Sequence, residues 1–186
     1  MSMLSEYQAK VLATEVYQLD RSLNYTILGL TVKVGELAEW IDVSANGSID
    51  LSDGTALSQI WRKNWKAELG DCWWYTVAIA DAMDASLQDI RDQHSALRSN
   101  MDVDVQRMTP MSVYLSLVAE NSRLAGWFRD SIGDKSETAA TISNRSENMR
   151  RSLAIITHYL DALGSQQDMT RVEILDSNIK KLSNLS

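Results

Sequence analysis

The chain has 186 residues, a formal charge of −7, 45% apolar residues, one proline and one cysteine. One proline and eight glycines are too few for the turns of an all-β sandwich or barrel, and the acidic balance excludes a protein that holds nucleic acid by neutralising its phosphates. No apolar run reaches the roughly 18 residues of a membrane span, residues 1–20 lack a basic-then-apolar signal pattern, and Cys72 alone cannot close an intrachain disulfide; the expectation is one all-α domain over 1–186, cytoplasmic and not in a membrane.

In chain order, apolar spacing predicts a helix over 3–19 and a second over 22–43, where Ile27, Leu30, Val34, Leu37 and Ile41 recur at three and four. Residues 44–54 break the periodicity and read as a loop. A long helix follows over 55–83, apolar around nearly its whole circumference after Asp71 and therefore buried. A shorter helix over 84–98 carries Leu87, Ile90, His94 and Leu97 on one face, and both His94 and His158 read as packed or surface residues. The polar stretch 99–109, ending at Pro110 in a helix-starting position, reads as a linker. Further helices are expected over 110–130, 135–163 and 168–185.

The second half resembles a worn copy of the first. Residues 27–40 lie over 114–127 at a constant offset of 87, matching Leu28, Leu30, Leu37, Ala38 and Trp40. Residues 80–83 lie over 160–163. The expected architecture is a helical bundle of two pseudo-repeats, 22–98 and 110–185, sharing one core and open to further assembly as a homodimer or higher homo-oligomer. At the offset of 87, Lys33 stands over Glu120 and Glu36 over Arg123, an inversion of sign that would let the two halves pair across a pseudo-axis.

Chemistry is concentrated in two carboxylate pairs. Glu68 and Asp71 open the buried helix, and Glu36 and Glu39 repeat the spacing on the helix before it. Carboxylates three apart share a helix face, and two such helices can surround Mg²⁺, with Mn²⁺ as the alternative hard cation. The same spacing also suits solvated helix-face acids, so both readings stand. Six tryptophans, Trp40 among them, offer flat faces on which a base could stack, although aromatic residues at helical spacing also build cores.

The stretches Gly29 to Trp40 (GLTVKVGELAEW) and Glu68 to Tyr75 (ELGDCWWY) resemble the two signature helices of MazG-like all-α nucleoside triphosphate pyrophosphohydrolases, a superfamily that includes dCTP pyrophosphatases and dimeric dUTPases. The resemblance covers about residues 25–97. Its second pair, Glu-x-x-Asp, is present as Glu68 and Asp71; in the first, Glu-x-x-Glu, the leading position is Lys33 and the second is Glu36. It implies hydrolysis of a nucleoside triphosphate to the monophosphate and pyrophosphate, with Glu36, Glu68 and Asp71 as Mg²⁺ ligands, and with Glu39 as a substitute ligand and the group that positions or deprotonates water. Lys33 would touch a phosphate oxygen, or else pair with Glu36 or Glu120. The family's Lys and Asn, on the helix after the second motif, fall near Gln93 and Leu97 and do not match there; residues 174–182 resemble that ending better, so Lys33, Trp40, Asn178 and Lys181 form the expected substrate set. The lysine at a ligand position also suits a second function, a non-catalytic nucleotide- or partner-binding protein on the same fold.

Overall fold

The computed structural model describes residues 2–14, 22–45, 54–133 and 138–184; the expected helix beyond 14, most of the 44–54 loop and the start of the expected 135–163 helix lie outside the described residues. Among the described residues there are eight helices and no strand: α1 Met3–Leu12, α2 Leu23–Ala45, α3 Ala56–Ala82, α4 Leu87–Gln93, α5 Ser95–Val105, α6 Pro110–Gly133, α7 Ala139–Ser165 and α8 Arg171–Ser183. The protein is all-α. None of these helices is long and apolar enough to cross a membrane.

The helix ends follow local chemistry. Ser2, Thr55, Ser86, Thr138 and Thr170 each accept a backbone N–H of the following turn, and Glu173 completes a reciprocal capping box with Thr170. The expected 84–98 helix is broken at His94, where α4 ends and α5 begins. The break frees the carbonyl of Arg91, which accepts a 3.1 Å bond from the Arg98 guanidinium instead. The 99–109 linker is also corrected: α5 continues to Val105, which is buried, and only 106–109 turn into α6.

Helix α2 packs against α3 and α6, α6 against α7, and α3 against both α7 and α8; α1 covers α3, α4 and α8 at one side, and α4 and α5 lie on α7. Residue Gly29 lets α2 approach α3 closely, because a Cβ there would stand 2.1 Å from the ring of Tyr75. The interior is dominated by α3, on which Trp61 and Trp65 stack with ring centroids 5.3 Å apart. Trp73 is fully buried, with the guanidiniums of Arg91 and Arg171 5.7 and 5.4 Å from its ring. Asp161 of α7 binds both arginines, so one carboxylate links α4, α7 and α8 around that indole.

The α2–α3 and α6–α7 hairpins have the same build. Their helices are 23 and 27 residues long in the first and 24 and 27 in the second. Thr26, Ile27, Leu30, Val34 and Leu37 are buried on α2, and Val113, Tyr114, Leu117, Asn121 and Leu124, 87 residues on, are buried on α6. The long second helices end alike: Asp84 and Asp168 take φ of 53° and 54°, and the next N–H returns to the carbonyl of Ala80 or Gly164. These ends place Asp168 over Asp84, an offset of 84, so the match of 80–83 to 160–163 is displaced by one helical turn. The halves are joined by the Asn121 amide donating to Thr31 Oγ1 over 3.1 Å.

Candidate functional site

Six of the charged or amide side chains singled out in the sequence meet where α2, α3 and α8 converge. The hub is Lys33, whose Nζ lies 2.6 Å from Glu36 Oε2, 3.1 Å from Asp71 Oδ2 and 3.3 Å from Glu68 Oε2. Asp71, buried near the middle of α3, is gripped from the other side: Lys181 Nζ lies 2.9 and 2.7 Å from its two oxygens, and Asn178 Nδ2 donates to Oδ1 over 3.1 Å. Tyr7 of α1 then donates to Asn178 Oδ1 over 2.8 Å, which fixes the amide with its nitrogen toward Asp71.

Backbone placement explains the meeting. Lys33 and Glu36 are one turn apart on α2, as Glu68 and Asp71 are on α3, and Asn178 and Lys181 on α8. Gly70 makes room for α8, since a Cβ there would stand 2.9 Å from Asn178 Cβ.

Electrostatics divide the carboxyls. Glu36 is held below the ordinary carboxylate range, chiefly by its hydrogen bond to Lys33. Glu68 is pushed up, first by burial and then by the hydrogen bond it shares with Glu36 and the charge of Asp71, against the pull of Lys33. For Lys33, burial acts to lower the pKa, but the hydrogen bonds to Glu36 and Asp71 outweigh it and the ammonium is held protonated well above its usual range. Burial, with the charge of Asp71, raises the Tyr7 phenol well above its ordinary value and keeps it a donor.

The residues left outside the cluster are equally informative. Glu39 is exposed and enters none of these contacts. At about 100° per residue, Lys33 and Glu39 flank Glu36 on opposite sides of α2, and α3 lies on the Lys33 side. Trp40 is half-buried against the core, and its carbonyl accepts from Trp61 Nε1 over 3.0 Å. The inverted charges of the two halves are satisfied within each half: Lys33 binds Glu36 and Glu68, whereas Glu120 accepts from Arg123 over 2.5 Å and from Ser152 over 2.7 Å. The expected Lys33–Glu120 and Glu36–Arg123 pairing across a pseudo-axis is thereby replaced. Cys72 is buried, as its apolar helix indicated, and burial raises its thiol pKa. His158 is packed with its Nδ1 3.5 Å from Asp102, and burial keeps its pKa low; His94 is partly covered, 3.4 Å from Glu147.

Tyr7 was missed in the sequence, although it had a signal: a hydroxyl on the buried stripe Leu4, Tyr7, Val11 of an otherwise ordinary amphipathic helix. Among the described residues no group of three His, Cys, Asp or Glu side chains stands ready to hold a metal ion. The carboxylates at this site instead converge on an ammonium. Comparison of the chain with protein-family models, curated proteins and solved structures finds no match.

Proposed function

We propose that this cluster is the active site of a Mg²⁺-dependent nucleoside triphosphate pyrophosphohydrolase that releases the monophosphate and pyrophosphate. The observation that supports the reading is the joining of Asp71 to Asn178 and Lys181, more than a hundred residues away, beside Glu36 and Glu68. These are the positions that the MazG-like resemblance assigns to metal and substrate.

The donor chemistry fits the cation. Glu36 Oε2, Glu68 Oε2 and Asp71 Oδ2 are hard oxygens of the kind Mg²⁺ takes, and they are the same three atoms that Lys33 engages. When bound there, Mg²⁺ supplies neutralisation of the triphosphate and acidification of a water. Lys33, displaced from the carboxylates, turns its ammonium to a phosphate oxygen as a point charge. Glu68, through the carboxylate oxygen that Lys33 does not engage, takes the proton as the water oxygen attacks phosphorus and the bond to the pyrophosphate oxygen breaks. Lys181, with its side chain 45% exposed, reaches the solvent edge where the polyphosphate enters. Asn178 and Tyr7 act as positioning residues by fixing Asp71. A cytoplasmic setting belongs to the same reading and is consistent with a single buried thiol.

One observation favours a second reading. Lys33 neutralises the carboxylates from within, so the cluster is satisfied without metal, as a non-catalytic nucleotide-binding protein on this fold would require. Incubation with each ribo- and deoxynucleoside triphosphate plus Mg²⁺, with product identification, separates the two. Monophosphate with pyrophosphate, abolished by Glu68→Ala and by Asp71→Ala in folded protein, supports the enzyme. Nucleotide binding without turnover and indifferent to Mg²⁺ supports the second reading, and diphosphate with orthophosphate removes the first.

A further inference from the structure

A cavity of about 270 Å³ opens between α6 and α7, lined by Glu120, Arg123, Trp127, Asn148, Arg151 and Ser152. It occupies the counterpart, in the second hairpin, of the carboxylate cluster in the first. Lys33 binds the residue one turn on (Glu36) and a side chain of the following helix (Glu68); Glu120 binds the residue one turn on (Arg123) and a side chain of the following helix (Ser152). The sign of the hub is reversed, and so is the sign of what surrounds it.

Charge bookkeeping inside the cavity leaves a cation to spare. Glu120 is buried, and Arg123 together with the Ser152 hydroxyl satisfies its two oxygens. The Arg123 side chain nevertheless remains 65% exposed, with guanidinium donors beyond the one spent on Glu120. Arg151 is exposed and makes no hydrogen bond or ion pair among the described residues, and neither does the amide of Asn148. A surplus positive charge gathered in a cavity of a chain with net charge −7 selects an anion. A planar guanidinium fork can donate two parallel bonds to a pair of phosphate oxygens. Trp127, 37% exposed one turn beyond Arg123, offers an aromatic face beside them, whereas Trp61, Trp65, Trp73 and Trp74 are at most 3% exposed.

We infer that this cavity is a second, metal-independent site for a nucleoside monophosphate, its phosphate on Arg151 and Arg123 and its base against Trp127. The inference does not depend on whether the first cluster is catalytic, because none of its residues belongs to that cluster.

The test is titration of the full chain in EDTA with the four deoxynucleoside monophosphates, inorganic phosphate and free nucleosides, followed by tryptophan fluorescence and calorimetry. Monophosphates are expected to bind and to quench fluorescence, with phosphate alone about tenfold or more weaker and nucleosides weaker still. Arg151→Gln, an exposed change that leaves Glu120 paired, should weaken monophosphate binding about tenfold or more. Trp127→Leu should remove the quenching and Trp40→Leu should not. Asp71→Asn should leave this binding unchanged. The proposal is overturned if no monophosphate binds, if Arg151→Gln binds as tightly as wild type while remaining folded by circular dichroism, or if Asp71→Asn rather than Arg151→Gln abolishes binding.

Discussion

Changing Lys33 to Met removes the ammonium at the centre of the acidic cluster while keeping most of its aliphatic stem. Three carboxylates then face one another without the cation that lies 2.6–3.3 Å from each. Stranding a buried ion by removing its partner costs about 3–5 kcal/mol, whereas an exposed pair contributes about 0–1 kcal/mol. The Lys33 side chain is 23% exposed and those of Asp71, Glu68 and Glu36 are 11, 20 and 42%, so the loss should fall between these limits, at about 2–3 kcal/mol in EDTA at neutral pH. For a chain of this length that is a fall in Tm of about 4–12 °C. Added Mg²⁺ should reverse it. At a hundred times its dissociation constant a ligand of the folded state returns about 2.7 kcal/mol, and the variant, with no lysine competing for its three oxygens, should gain more than wild type. Urea unfolding followed by circular dichroism, with and without Mg²⁺, measures both terms. The reasoning is refuted if Lys33→Met is as stable as wild type in EDTA, or if Mg²⁺ stabilises the two proteins equally.

The raised pKa of Glu68 gives a pH test. Folding disfavours its charged form, so its contribution is most favourable below the ordinary value of 4.5 and declines as pH rises through the folded value. Glu68→Gln should therefore gain Tm relative to wild type between about pH 4 and pH 7 in EDTA, and a difference that is the same at both would count against the assignment. Gly70→Ala should drive α8 off α3, with Cβ 2.9 Å from Asn178 Cβ and 3.2 Å from its Nδ2. A destabilisation of about 1–3 kcal/mol is expected from such overpacking, together with weaker triphosphate binding as Lys181 leaves Asp71; unfolding and binding titrations that match wild type would contradict the close approach.

The elements legible in the sequence were those whose apolar residues repeat cleanly: α2 differs from its expected span by one or two residues at each end, and α3 by one. Polar composition misled over 99–109, because the α5 extension rests on Val105, which is buried, and on Met101, packed against the core, both set among polar residues. The break at His94 was invisible for the opposite reason. The apolar spacing runs straight through it, and the bond from the Arg98 guanidinium to the Arg91 carbonyl that accompanies the break has no periodic signal. Within the site, Glu36, Glu68 and Asp71 could be found because they lie in carboxylate pairs at helical spacing, whereas Asn178 and Lys181 were reached through the family resemblance. Glu39 kept that spacing too, but spacing does not say on which side of α2 the neighbouring helix lies. The role of Lys33 as hub depends on that same side, which is a tertiary fact.

The bond from Asp71 to α8 bears on the order in which the molecule matures. Asn178 and Lys181 lie 107 and 110 residues beyond Asp71, with the whole α6–α7 hairpin between. During synthesis α2 and α3 leave the ribosome long before the helix that anchors Asp71, and contacts this distant in sequence form late. Lys33 therefore keeps the emerging carboxylates from standing exposed to one another in the interval. A chain severed in the short 166–170 connection would keep every acid of the cluster and lose the groups that hold Asp71 in register, so the order of this cluster also reports whether the polypeptide is intact through α8.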